Sequence, residues 1–482
     1  MTVLIDDRSA FTLDTYRRVS VDGEGIEIGA RARRAMAAAR ASFEALLDSD
    51  RSAFIYGTTT RAGHGARTRL STEEQRAWAR EMGGRRHGGW GFGERQLEPR
   101  VVRGIIFARL ANYVEGHAKS RPVVAERIAA MLSRPLPRVP LDGQIGAGEV
   151  LPLAHVMADA GLGELQEGEP MAVINGSPCA AALSADAALH AGHRLALATG
   201  VMALSIEAFG APLDAYDADL DALYGDPYEV AALVALRDWL AGAGTDGRRP
   251  YQAPVSYRIV PRVLAAGHRA VAEIERTAAT SLRSVTDNPV YLLPSAERPL
   301  GAAISTGGYH NAMASPALDA LSAAWADLCV IADRHVTKLF ERPATPPAGD
   351  ADARRALGRG VPGLGFVAAS FGEQARDAAR RTLLPVSEGG GYLGQNDVAV
   401  PTFLAYARER RAAECLHGSM AILAVSASEI LHQLGRSPAT GLQQLLAGVR
   451  ALCPPGETDS DGLLALAHRF ARCSLTGEEL AP

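Results

Sequence analysis

The feature that most constrains this chain is a set of long stretches in which apolar residues recur every three or four positions. In 311–340 they fall at Leu318, Leu321, Trp325, Leu328, Ile331, Val336 and Leu339. That spacing lays them along one face of an α-helix. Similar stripes run through 185–207, 229–242, 261–282 and 402–434, and Glu98 to Ser133 is also helical in pattern. Stripes of this length must bury their faces against one another, which predicts a mostly α protein built as a helical bundle. Helices this long seldom cover every apolar face within one chain, so a homo-oligomer sharing helices across its interfaces is expected. Two short apolar runs, Met171 to Ile174 and Cys179 to Leu183, read as a strand-like pair. The 482 residues are enough for two or three domains. A division is expected between a loop-rich and helical part, 1–185, and a long-helix part, 186–482.

Charge and residue usage exclude several classes. The 54 acidic and 50 basic residues leave a formal net charge of -4, which gives no reason to expect a nucleic-acid partner. The bases are nearly all arginine; Lys119 and Lys338 are the two lysines, so Schiff-base chemistry would have to use one of them. Cys179, Cys329, Cys415, Cys453 and Cys473 are odd in number and lack CxxC spacing. They point to reduced thiols, with neither a disulfide framework nor a metal site. The start, MTVLIDDRSAFTL, has no basic run followed by an apolar core, so no signal peptide is expected. No apolar run approaches the ~20 residues that span a bilayer. A cytoplasmic protein with no membrane partner is the expectation.

Glycine, proline and arginine punctuate the chain. Thr58 to Gly93 contains YGTTTRAGHG and RRHGGWGFG, too glycine-rich for a helix and too long for a plain connector. Tyr56 stands at the start of this loop, near Arg61 and His64 in sequence, and a tyrosine beside positive charge can serve as a base. It can equally anchor a turn. The segment GQIGAGEVLPLAH, 143–155, puts Gly146, Ala147 and Gly148 at a helix start, where backbone N–H groups can face an anion or simply form a tight loop. In INGSP, Asn175 can hold a polar substrate group or cap the next helix. In RPYQAPVSYR, Arg258 offers a fork for a carboxylate, or a salt bridge. Asn288 in SVTDNPV, His87 in RRHGGWGFG, and Tyr309 with His310 in STGGYHNA complete the candidates.

Each block is weak alone, but their order and spacing are informative. The chain resembles the aromatic amino acid ammonia-lyase and aminomutase family, which includes histidine and phenylalanine ammonia-lyases, over roughly residues 20–435. The blocks that carry the likeness are YGTTTRAGHG, GIIFARLANYVEGHAKSRPVV, GAGEVLPLAH, INGSP, YQAPVSYR, SVTDNPV and GGYHNA. The resemblance implies an elongated helical bundle of the ammonia-lyase/fumarase-like type, assembled as a homotetramer with active sites shared between subunits. It implies that Tyr56 is the catalytic tyrosine and that Asn175 contacts the prosthetic group or substrate. It implies that Arg258 binds the substrate carboxylate, and that Tyr309 replaces a phenylalanine near the prosthetic group. Asn288 and His87 are carried as further substrate contacts.

The departures from the family bear on chemistry. The family makes its electrophile, methylidene-imidazolone (MIO), from an Ala-Ser-Gly triad. Matched on PLAH, this chain has Ala147 where the serine belongs, and no Ser, Thr or Cys occurs from Arg134 to Gly176. Dehydration of a serine is what makes the methylidene, so MIO is not expected to form and no other cofactor is implied. Val255 stands where a second tyrosine is usual. The family's Asn-Gln-Glu-Asp segment is expected to be lost around Arg411 to Met420. The surviving groups fit an MIO-independent lyase or cyclase. Its expected chemistry is acid–base elimination, addition, isomerisation or cyclisation of an amino-acid-derived carboxylate, in specialised natural-product biosynthesis. An inert scaffold that keeps the fold is the alternative; a conventional ammonia-lyase or aminomutase is disfavoured by the missing serine.

Overall fold

The computed structural model describes residues 2–84, 89–158, 160–249, 251–341, 363–386 and 396–478. They form two compact units. The first comprises Met1–Ala187, Ile274–Ala317 and Thr382–Ala407; the second comprises Ala188–Glu273, Leu318–Arg381 and Arg408–Pro482. The first unit thus includes two segments, Ile274–Ala317 and Thr382–Ala407, that follow the start of the second in the chain.

The five long stripes are helices. They are Pro178–Phe209, Pro227–Trp239, Val260–Arg283, Ala314–Phe340 and Thr402–Gln433. All seven apolar positions of the 311–340 stripe are buried. The strand-like pair is corrected: Glu169–Ile174 is a short helix with proline near its start, and Cys179 to Leu183 is the first turn and a half of Pro178–Phe209. Short apolar runs do not separate helix from strand by period, and burial on all sides favours the helix here. The glycine-rich stretch is also corrected in part, because Thr72–Gly84 is helical. Its start carries a reciprocal cap: Ser71 N–H donates to Glu74 at 2.7 Å and Glu74 N–H to Ser71 Oγ at 3.2 Å.

In the first unit, strands Thr2–Ile5 and Gly25–Ile28 pair in parallel, and Val290–Leu292 pairs antiparallel with Ala302–Ile304. Phe43 meets Tyr291 edge-on at 5.5 Å, in a core shared with Ala39, Leu47 and Ile55. Helix Leu13–Ser20 packs on Pro99–Arg109 through Phe11, Tyr16 and Phe107.

The second unit centres on a buried polar cluster. Glu409 Oε1 accepts from Arg194 at 2.9 Å and from Trp325 Nε1 at 3.0 Å, and the Arg194 guanidinium lies 5.3 Å from the Trp325 ring centre. Arg194 and Glu409 are each almost wholly buried. All five cysteines are free and buried.

Two helices, Ala314–Phe340 and Thr402–Gln433, are long and apolar enough by length and composition to cross a membrane. This corrects the expectation that no apolar run comes near that length. Their apolar windows are 67% and 94% buried within the protein. Helices that bury acids such as Asp333 and Glu409 read as core elements.

Removing one partner of a buried ion pair strands the other charge, at a cost of about 3–5 kcal/mol. Arg194→Met should therefore lower stability by that amount in urea unfolding, and Glu409→Leu added to it should recover a large part. Additive losses in the double variant would show that the pair is not the origin of the cost.

Candidate functional site

Tyr56 sits on a tight turn built by threonines. The N–H groups of Thr58, Thr59 and Thr60 converge on the Ile55 carbonyl, and Ile55 N–H donates to Thr59 Oγ1 at 2.8 Å. The three threonines are buried. The Tyr56 hydroxyl accepts from the Gly63 N–H at 2.9 Å, so the loop closes on its own phenol oxygen. Gly57 lies directly against the Met171 side chain. The Tyr56 turn is thus seated on helix Glu169–Ile174, whose C-terminal cap is Asn175.

Asn175 is buried, and its Oδ1 accepts from the Gly176 N–H at 2.8 Å. Its carbonyl accepts from Arg109, which also pairs with Asp287. Arg109 and Asp287 are both fully enclosed. Burial raises the Asp287 carboxyl above its usual range against the pull of Arg109 and Lys119. Gly176 has φ +88°, and a Cβ there would meet Arg109 at 2.8 Å and Thr286 Oγ1 at 3.0 Å. Only glycine fits that junction. Lys119 is buried and donates to the Pro289 carbonyl at 2.8 Å; burial lowers its pKa to about 8. Lys338 pairs with Glu341. Both lysines thus have structural partners.

The Asn288 carboxamide oxygen accepts from Ser305 Oγ at 2.9 Å and Thr306 N–H at 3.0 Å. It holds the loop that carries Tyr309, and its acceptor is used in doing so. The Tyr309 ring lies over the glycine turn: a Cβ on Gly148, whose φ is +89°, would fall 2.9 Å from the ring. The next residue, His310, contacts the Ala399 carbonyl through Nε2 at 3.1 Å. Val400 N–H donates to the Gly146 carbonyl at 2.8 Å. The 146–148 turn, the 305–310 loop and the 398–400 segment therefore meet. Ser177 joins them through Gly308 and, by its N–H, Thr286 at 2.9 Å.

Beneath the turn lies a carboxylate that sequence reasoning did not single out. Glu149 accepts from the N–H groups of Cys179 at 2.6 Å and Ala180 at 2.7 Å. It caps the long helix Pro178–Phe209 rather than its own, so no local motif announces it. Burial raises its pKa to about 7, against the opposing pull of these donors and Arg109. It is the acidic group that ties the turn to the helix following Asn175.

Arg258 belongs to the second unit. It ends the four-residue helix Val255–Arg258, is exposed, and donates through Nε to the Ala253 carbonyl at 3.0 Å. It lines a cavity of about 890 Å³ with Arg249, Tyr251 and Gln252. Val255, at the position of the family's second tyrosine, is exposed on the same helix. His87 lies outside the described residues.

A model of the aromatic amino acid lyase family matches residues 11–165 and 156–451. The chain belongs to that family. It is similar to a histidine ammonia-lyase of Geobacillus kaustophilus, 32% identical over 50% of this chain and 52% of that one. It is 29% identical to a histidine ammonia-lyase of Geobacillus thermodenitrificans over 68% and 69% of the two chains. Among solved structures, an ergothioneine-degrading enzyme, ergothionase, from Treponema denticola, in complex with desmethyl-ergothioneine sulfonic acid, superposes with a TM-score of 0.85. The match is 16% identical and covers 99% of this chain and 100% of that one.

Aromatic amino acid lyases ordinarily use MIO, formed from their own chain. The turn here does not fit that group, since Ala147 offers a methyl and the whole 134–176 segment offers no hydroxyl or thiol. The expected loss of the family's Asn-Gln-Glu-Asp segment near Arg411 meets no break in the structure, because Arg411 to Met420 lie inside helix Thr402–Gln433. In the sequence, a shorter run of similar composition without glutamate, Gln395-Asn396-Asp397, directly precedes Val398.

Glu149 binds its proton more tightly in the native state than in the unfolded chain, whose carboxyl titrates near 4.5. Its contribution is present below that pH and is lost as pH rises to about 7. The unfolding midpoint of the wild type should fall relative to Glu149→Gln across that window and hold level on either side. A difference that ignores pH would show that Glu149 is not buried as described.

Proposed function

We propose that this chain is a lyase that works without MIO on an amino-acid-derived carboxylate whose leaving group departs unaided. The observation that carries the reading is the glycine turn. It packs under Tyr309 and is tied through Glu149 to the helix that follows Asn175, yet has no side chain from which an electrophile could be made. In an ordinary amino acid the β-proton is scarcely acidic and ammonium leaves poorly. Positioned acid–base groups supply only about 10²–10⁴-fold, too little to replace an electrophile. A substrate with a quaternary ammonium group, or with an acidified C–H bond, removes that need.

In this reading Tyr56 takes the proton from carbon. The C–H electron pair becomes the new double bond, and the amine leaves with the C–N pair. The family resemblance, which implies active sites shared between subunits, assigns the carboxylate to Arg258 through its two terminal nitrogens and a polar contact to Asn175. The neighbour that degrades ergothioneine supports the choice of substrate type, since ergothioneine is a trimethylammonium betaine. Assembly into a homotetramer, as the family resemblance implies, is part of the reading.

The test uses ergothioneine and L-histidine side by side, with trimethylamine and ammonia measured separately. Trimethylamine release without ammonia release is expected, with Tyr56→Phe slowing it about 10²–10⁴-fold. Mass spectrometry of the peptide covering 143–155 should give the mass its sequence specifies, with no loss of water. Ammonia from L-histidine, a dehydrated peptide, or an unchanged Tyr56→Phe rate would each overturn the reading.

A further inference from the structure

The second unit contains a four-layer stack that ends in an arginine. His335 lies face to face with Tyr257, with ring centres 3.7 Å apart and planes 5° apart. Tyr257 stacks on Phe209 at 4.3 Å and 18°. The Arg249 guanidinium lies 3.9 Å from the Phe209 ring centre and donates through Nε to the Phe209 carbonyl at 3.2 Å. The interior of the stack is fixed by hydrogen bonds: His335 Nε2 to the Ser256 carbonyl at 3.1 Å, and the Tyr216 hydroxyl to the Tyr257 carbonyl at 2.7 Å. Burial lowers the His335 pKa to about 4, so the ring is neutral and donates from one nitrogen only. Tyr257 directly precedes Arg258. The stack therefore sets both Arg249 and the helix that bears Arg258.

Both arginines line the same cavity of about 890 Å³. Its two other arginines are neutralised: Arg237 by Asp221 at 3.0 and 2.6 Å, and Arg248 by Glu207. Arg249 and Arg258 differ. Each spends its Nε on a backbone carbonyl, and among the described residues neither pairs with a carboxylate. The acids Asp214 and Asp217 also line the cavity, but they are exposed, where water and salt screen them. A guanidinium seated over a ring and anchored through its Nε keeps two terminal nitrogens for a planar anion at little entropic cost.

We propose that Arg249 is a second anion-binding residue of this cavity, so that among substrates of the proposed betaine type those with a further anionic group, set against Arg249 while Arg258 holds the carboxylate, are preferred. The inference rests on the reading of Arg258 as the carboxylate anchor. It adds a specificity element that separates such substrates from simple amino acids, which lack a second anionic group.

Calorimetric titration of the full-length protein with succinate, glutarate and adipate tests it, with butyrate and γ-aminobutyrate as single-anion controls. At least one dicarboxylate should bind about tenfold or more tightly than both controls. Arg249→Gln should bring it down to the butyrate level and leave butyrate itself unchanged. Arg249→Lys keeps the charge but loses the flat fork, and should fall between; it also serves if the glutamine variant does not fold. Equal binding of butyrate and every dicarboxylate, tighter binding of γ-aminobutyrate, or an unchanged dicarboxylate preference in both folded Arg249 variants would overturn the proposal. If Arg249→Gln behaves as expected while Arg258→Gln alters neither class of ligand, the Arg258 anchor fails instead.

Discussion

The candidate site of the first unit depends on one enclosed ion pair. Arg109 and Asp287 come from stretches far apart in sequence, and neither reaches water. Such a pair gains little net stability, because desolvating both charges offsets most of their attraction. It specifies position instead. Arg109 also binds the Asn175 carbonyl, and Asp287 leads into the Asn288 contacts that hold the Tyr309 loop. A single guanidinium therefore ties the cap of one helix to the approach of a loop. The glycine at 176 is the steric counterpart, since any side chain there would push into the same charges.

The turn at 146–148 is held by contacts that do not involve the side chain of residue 147. The frame is the Tyr309 ring above, the Val400 bridge beside and the Glu149 cap beneath. None of these contacts requires the side chain of residue 147. A replacement there removes a hydroxyl without loosening the frame, so a change of chemistry at that position carries no obligatory cost in folding. Glu149 differs in kind, because its carboxylate has been brought to a near-neutral pKa by enclosure while serving as a helix cap. A group held this way is sensitive to anything that admits water beneath the turn.

Much of the helical part of the fold was legible because its signal is local. The stripe from Leu318 to Leu339 needs only a period near 3.6, and the helix it predicts differs at its ends by three residues at most. Cys179 to Leu183 read wrongly as strand because five apolar residues carry no reliable period, and a buried helix hides its face by having none. Thr72–Gly84 was overlooked although Ser71 and Glu74 spell a capping box, since the surrounding glycines dominated the stretch. At the candidate site, Tyr56, Asn175 and Tyr309 belong to motifs that are legible in the sequence. Glu149 and Arg109 were not, because their partners are Cys179 and Asp287, fixed by tertiary placement alone. Arg249 was passed over for a related reason: in a chain so rich in arginine, only the Phe209 stack sets it apart. Sequence order carries no local signal for the membership of 274–317 and 382–407 in the first unit.

The bridge between Gly146 and Val400 also fixes an order of events during synthesis. The turn leaves the ribosome long before the residue that completes it, with about 250 residues between them. At about 5–20 residues per second, the interval is on the order of ten to fifty seconds. Through that time the turn lacks its lateral partner, and the His310 contact to Ala399 is missing as well. A nascent chain stalled or cut before Val398 would carry Tyr56, Asn175, Arg258 and Tyr309 and still lack an assembled turn. Such a chain would lack both the Val400 N–H that meets the Gly146 carbonyl and the Ala399 carbonyl that meets His310.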